Sequence, residues 1–152
     1  MVDRGAHSVI VRALGSALVA AATVLVYGCG SSPITPARIE GALASTFANL
    51  VHVQMSWLGL PPMATSEFAV KASCRRLLGQ KNAGSGEWAC ALVWRGPDRR
   101  TVRDTYDLFV TPDGCYTATA SAENVGGPTL KAEDGSQVRN LLYVFEGCFD
   151  TT

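Results

Sequence analysis

The sequence predicts an α+β domain in which one N-terminal amphipathic helix packs on a four- to five-stranded antiparallel sheet. Two changes of pattern point to it. Apolar residues recur at helical spacing between residues 36 and 56, and after residue 66 the period falls to two. Four cysteines from residue 74 onward add a third indication, because an even set in a domain of this size reads as a disulfide framework.

Thr35-Pro36 suits a helix start, with a hydroxyl at the cap position and proline at the first helical position, where its missing N–H costs nothing. Ile39, Leu43, Phe47, Leu50, Val51 and Gln54 then form the stripe, while Ala37, Ala42, Ala44 and Ala48 supply helix propensity. Gly59 and Pro61-Pro62 stop the helix. Phe68, Val70, Ala72 and Cys74 alternate with Ala69, Lys71, Ser73 and Arg75 as a first half-buried strand, and Trp88, Cys90, Leu92 and Trp94 repeat the pattern as a second. Residues 79–86 read as the loop between them, and residues 95–103 as a polar turn around Gly96-Pro97-Asp98. Tyr106, Leu108 and Val110 give a third strand. Pro112-Asp113-Gly114 turns it into a fourth, Cys115 to Ser121. Asn124 to Ser136 is glycine-rich and polar, a long surface loop, and Val138 to Phe145 offers a last strand or short helix before Cys148. Residues 35–152 thus form a single domain with no internal repeat.

Cys74, Cys90, Cys115 and Cys148 allow three pairings. Cys74 and Cys90 each fall on the more apolar face of their strand, which favours Cys74 with Cys90 and Cys115 with Cys148; the other two pairings stay open. A metal site would want close cysteine pairs with histidines nearby, and here every cysteine stands alone, so no metal is expected.

The amino terminus carries the address. Arg4 and Arg12 precede a charge-free apolar run from Ala13 to Val26, the layout of a secretory signal. As a helix, Ala13 to Tyr27 would span about 22 Å, short of the roughly 30 Å of a bilayer core. Val26-Tyr27-Gly28-Cys29 then resembles the lipobox of bacterial lipoproteins, with Val26 at the aliphatic position, Gly28 at the small one and Cys29 at the modified one; Tyr27 is bulkier than the residue usual at its position. The resemblance implies a signal peptide over residues 1–28 and diacylglycerol on Cys29, with residues 29–34 as a tether. An ordinary cleaved signal or an uncleaved anchor helix are the alternatives, and all three place the domain outside the cytoplasm, anchored by lipid in the first case. A second resemblance covers the domain itself. Cys74, Leu77, Gly86 and Cys90, followed by Asp113-Gly114-Cys115-Tyr116, look like small exported domains of uncharacterised actinobacterial lipoproteins, although those often carry proline where this chain has Arg75. That resemblance implies no activity.

Composition narrows the partners. The 152 residues are 47% hydrophobic and 17% charged, with 13 basic and 13 acidic groups, which excludes a disordered tail and leaves no electrostatic footprint for nucleic acid. Beyond the signal one histidine is left, His52, without a signature nucleophile beside it, so no catalytic residue and no cofactor are expected. Asp104 with Asp107, or Glu133 with Asp134, are acids close in sequence, as a wall-polymer hydrolase would need across a cleft, but Asp104 reads as a turn residue and Asp107 as a solvent-facing one. The candidate binding residues are Trp88 and Trp94, as an aromatic ledge if they are not core, and Arg99, Arg100 and Arg103, the densest basic spot. The expected function is a non-enzymatic, lipid-anchored envelope domain that binds another envelope protein. Its rivals are a carrier holding a small apolar ligand between Phe47, Leu50, Trp88 and Trp94, and the hydrolase.

Overall fold

The structure is a computed structural model, and it describes residues 33–77 and 82–151. One helix, α1 (Pro36–Leu58), is followed by a 3-10 turn at Thr65–Phe68 and by seven strands: β1 (Lys71–Arg76), β2 (Gly86–Arg95), β3 (Thr101–Val110), β4 (Cys115–Ala120), β5 (Thr129–Lys131), β6 (Gln137–Arg139) and β7 (Val144–Cys148). Five of them form an antiparallel sheet in the order β1-β2-β3-β4-β7, and β5 and β6 make a separate hairpin. The described residues form an α+β fold, one helix on one five-stranded antiparallel sheet.

Helix α1 begins as its proline dictates. The Thr35 carbonyl accepts the first helical bond from the Ile39 N–H at 3.1 Å, while the Thr35 hydroxyl makes no capping bond. Gly59 ends the helix with φ +78°, a conformation that costs glycine little. The Gly59 N–H then reaches the Ser56 carbonyl and the Leu60 N–H the Met55 carbonyl, which satisfies two of the orphan acceptors of the last turn. A third, the Leu58 carbonyl, accepts the Glu133 N–H at 3.0 Å.

The helix buries Ile39, Leu43, Phe47, Val51, Gln54 and Met55, with Leu50 only half-buried. Phe47 sits at the centre of the interface, its ring 4.8 Å from Trp94, 5.8 Å from Tyr106 and 6.1 Å from Phe145. Burial of one such side chain is worth about 1.5–3 kcal/mol. On the sheet, Trp88, Cys90, Leu92 and Trp94 of β2 face the helix together with Tyr106, Leu108 and Val110 of β3 and with Tyr116, Ala118 and Ala120 of β4. The opposite face carries Arg75, Glu87, Asp107 and Thr119, and leaves Phe109 58% exposed.

Both cysteine pairs bridge residues directly opposite each other on neighbouring strands. Cys74 of β1 joins Cys90 of β2, and Cys115 of β4 joins Cys148 of β7, with Cα separations of 4.1 and 3.9 Å. Separations this short belong to non-hydrogen-bonded register positions, where the N–H of an edge residue points away from its partner strand. The Cys74 N–H points outward and donates to Glu40 Oε1 of α1 at 2.8 Å. A helix carboxylate thereby covers the middle of the β1 edge, which would otherwise offer an open donor to another strand.

Several expectations need correction. Phe68 and Ala69 do not extend β1: Phe68 lies in the 3-10 turn and Ala69 is left-handed, with φ +46°. Phe68 is buried all the same, which is why the two-residue alternation ran on through it. The turn after β2 is Gly96 to Arg100, so Thr101, Val102 and Arg103 are already strand. Within residues 124–136 and the segment after it, the chain forms the β5–β6 hairpin, so the surface loop is shorter than expected and Val138 is part of β6, apart from β7. Ile34, expected in the tether, is buried in the core, and its carbonyl accepts the Gly84 N–H at 2.8 Å. Residues 78–81 of the β1–β2 loop lie outside the described residues, and the remainder is pinned by Arg76, whose guanidinium donates to the Ala83 and Ser85 carbonyls.

The two bridges differ in access. Cys90 has no exposed surface and Cys74 is buried, whereas Cys115 is half-buried and Cys148 exposed on the open face of the sheet. Under limiting reductant followed by alkylation, Cys115 and Cys148 are expected to be labelled first in peptide mass maps. Earlier labelling of Cys74 and Cys90 would show that burial does not protect the first bridge.

Candidate functional site

Trp88 and Trp94 are 0% and 5% exposed, so they build the core and form no ledge. The Trp88 indole N–H donates to the Gly84 carbonyl at 3.2 Å, the partner a buried indole requires. Trp57, near the end of α1, is the exposed tryptophan, at 47%. Nor do Phe47 and Trp94 leave a cavity between them, because their rings are in edge contact. His52 lies on the solvent side of α1 with Nδ1 2.9 Å from the Met63 carbonyl, so Nδ1 carries the proton and ties the helix to the following segment. Cys29 lies outside the described residues.

The basic spot is real but diluted. Arg99, Arg100 and Arg103 are all exposed, Arg99 in a left-handed conformation at φ +63° that closes the turn. Arg100 Nε is 3.4 Å from Asp98 Oδ2, an ion pair in open solvent that contributes little stability. Arg100 and Arg103 rim a shallow concavity of about 510 Å³ that also receives Asp98, Asp104 and Glu123. Its mixed sign gives an anion no net attraction.

Asp104 is the residue that sequence reasoning misplaced. It is 3% exposed, inside β3, on the same face as Tyr106, Leu108 and Val110. Asp107 is on the opposite face, so the two carboxylates cannot share a cleft. Glu133 and Asp134 both sit exposed in the β5–β6 turn. Asp104 lies where β4 leaves β3, just past the Tyr106–Ala120 pair. There the Ser121 N–H reaches back to the Thr105 carbonyl, Ala122 turns left-handed, and the chain folds over the carboxylate. Oδ1 accepts from the Ser121 hydroxyl and the Thr105 N–H; Oδ2 accepts from the N–H groups of Asn124 and Val125 at 3.1 and 3.2 Å. Burial by itself would raise the Asp104 pKa, yet the Ser121 hydroxyl and the three backbone donors outweigh it and hold the carboxyl below its ordinary value. Every lone pair is committed to the chain, so Asp104 is a clamp with no capacity left for a general base.

Three more buried side chains, those of Asn140, Tyr106 and Gln54, extend this framework over the segment after β4. Asn140, 1% exposed, donates to the Val125 and Gly127 carbonyls, both at 2.8 Å, and accepts from the Leu142 N–H at 3.0 Å. Tyr106 donates to the Leu142 carbonyl at 2.8 Å, and burial raises its pKa, as does the charge of nearby Asp104. Gln54 of α1 accepts from the Leu141 N–H at 2.6 Å.

What these clamps hold in place is an apolar groove of about 170 Å³ at the end of the helix–sheet layer. Val51, Gln54 and Met55 of α1 form one wall, Trp94 and the Gly96-Pro97 turn another, and Val125, Leu130 and Leu142 a third. No charged side chain lines it. Among the described residues, no three His, Cys, Asp or Glu side chains gather as metal ligands, and no helix is long and apolar enough to cross a membrane. Comparison with known proteins finds no matching family model, no matching curated protein and no matching solved structure.

Proposed function

We propose that this chain is a non-enzymatic, lipid-anchored lipoprotein of a bacterial cell envelope, working outside the cytoplasm as a binding domain for another envelope protein. The observation that carries this reading is the pair of cross-strand disulfides, which persist in an oxidising compartment and are rare where thiols are kept reduced. The lipobox-like Val26-Tyr27-Gly28-Cys29 supplies the anchor. Cleavage before Cys29 makes α1 the amino-terminal element of the mature domain. Because Ile34 belongs to the core, the tether shortens to residues 30–33, at most about 14 Å of extended chain. A domain on so short a leash works close to the membrane surface.

Cys29→Ala is expected to move the protein from the membrane fraction to the medium, or to leave it unprocessed. The intact mass of the native protein is expected to equal residues 29–152 plus acyl chains, less four hydrogens. Unchanged fractionation of the variant, or an unacylated native mass, would remove the anchor from this reading.

One observation favours a second reading, a carrier of a small apolar ligand. The groove beside Gln54 and Trp94 lies between helix and sheet, and Phe47, in edge contact with Trp94, does not line it. Concave, uncharged and mostly apolar surfaces with a polar group at one point are what small-molecule sites consist of.

A further inference from the structure

We infer that the groove between the end of α1, the β2–β3 turn and the Val125–Leu142 segment is a binding site for a neutral apolar ligand bearing one carbonyl-type acceptor, with Gln54 Nε2 as the donor that receives it. The inference rests on the carrier reading and gives it a ligand class.

Gln54 is 2% exposed, and its Nε2 has no hydrogen-bond partner among the described residues. A buried polar group left in this way is costly and calls for an explanation. Its orientation is fixed by chemistry. The other end of the amide accepts the Leu141 N–H at 2.6 Å, and rotating the group by half a turn would set two donors against each other. The end without a partner is therefore a donor on a side chain that lines the groove; Nε2 itself has no exposed surface, so a ligand oxygen meets it only when the groove wall gives way slightly on binding.

The remaining walls define the ligand. They are apolar except for the exposed Asn124 and carry no charged group, so a carboxylate or an ammonium would be desolvated there without a counter-charge. A volume of about 170 Å³ suits a ring or a short branched chain, since apolar cavities of roughly 150 Å³ take up benzene. A ketone, ester or amide carbonyl on such a body satisfies Nε2 while the rest displaces water from Met55, Trp94 and Leu142. Larger molecules can enter by one end only.

The test is an NMR titration of the ¹⁵N-labelled full-length protein with three probes of matched shape: acetophenone, cumene and benzoate. Acetophenone is expected to shift the Gln54 side-chain amide pair and the Trp94 indole signal, and to bind about tenfold tighter than cumene, which has no acceptor. Benzoate is expected to bind more weakly than acetophenone. Gln54→Leu is expected to equalise acetophenone and cumene. Because it also deprives the Leu141 N–H of its acceptor, its fold is checked by melting, and the comparison of probes in the unaltered protein stands without it. Leu130→Trp, which fills the groove, is expected to abolish binding of all three. Equal binding of acetophenone and cumene in the groove would overturn the role of Gln54 and leave the carrier reading standing. Benzoate binding as tightly as acetophenone would overturn the neutral ligand class. Shifts that survive Leu130→Trp would place the site elsewhere and overturn the inference. No shift at the groove from any probe would overturn the inference and the carrier reading together.

Discussion

Replacing Cys74 and Cys90 together by alanine is expected to lower stability by about 3 kcal/mol and the melting temperature by about 10 °C or more. The two cysteines are 16 residues apart, and closing a loop of that length removes about 3 kcal/mol of entropy from the unfolded chain. Cys115 and Cys148 are 33 apart, so chain entropy alone makes their bridge the stronger by about half a kcal/mol. Packing reverses the order. Cys90 has no exposed surface, and its sulfur fills space in the sheet beside Tyr106, so alanine there also leaves a void, whereas Cys148 lies in solvent. The Cys74/Cys90 double variant should therefore melt at or below the Cys115/Cys148 double variant, as followed by circular dichroism or calorimetry. A melting temperature unchanged from the parent would remove the staple from the account of stability. A clearly larger loss for Cys115/Cys148 would show that loop entropy governs and burial does not.

The pairing of these cysteines was legible because both signals it needed are local. Alternation put Cys74 and Cys90 on the same face of adjacent strands, and a tight turn at Pro112-Asp113-Gly114 fixed where β4 begins. Helix α1 was legible for the same reason, down to Gln54 on its buried stripe. Elements without room for a period were not. Strands β5 and β6 have three residues each and one inward apolar side chain apiece, Leu130 and Val138, which no pattern can separate from a loop. The 3-10 turn at Thr65–Phe68 was hidden for a different reason: Phe68 is buried, as a strand residue in that register would be.

At the site, the distinction falls between residues that obey a pattern and residues that break it for a partner far along the chain. Trp88 and Trp94 follow the alternation of β2 and turn out to be core. Asp104 also stands in phase, two residues before Tyr106 and four before Leu108, so the period itself pointed inward. Charge argued for solvent and prevailed, because the four donors that accommodate the carboxylate come partly from residues 121, 124 and 125, invisible at the stage of a linear pattern. The groove was illegible altogether, since its three walls come from α1, from the β2–β3 turn and from the segment that Asn140 pins. Of the carrier's expected lining, Trp94 is in the groove, while Phe47 and Trp88 are core and Leu50 packs half-buried against the core outside the groove.

The largest polar effect is expected at Asp104. Asp104→Ala removes the acceptor of the Ser121 hydroxyl and of three backbone N–H groups, of which the Val125 N–H is buried. Buried donors left unpaired cost roughly 1–3 kcal/mol each, and partial rehydration of the outer ones brings the expected loss to about 2–4 kcal/mol. Asp104→Asn keeps one acceptor oxygen and turns an NH₂ group towards donors, so it is expected to cost less than alanine and still leave bonds unmade. The pH dependence identifies the charge. Because the folded pKa lies below the unfolded value of about 3.9, the unfolded chain binds a proton more readily between the two, and stability falls as the solution is acidified through that window. The contribution of Asp104 is thus complete above about pH 5 and disappears as pH drops through the folded pKa. The stability gap between the parent and Asp104→Asn should be constant at neutral pH and shrink in acid, with amide exchange faster at Asn124 and Val125 in the variant. A gap that keeps its neutral value down to the lowest pH at which the fold survives would mean that the carboxylate charge does not hold the segment over the groove.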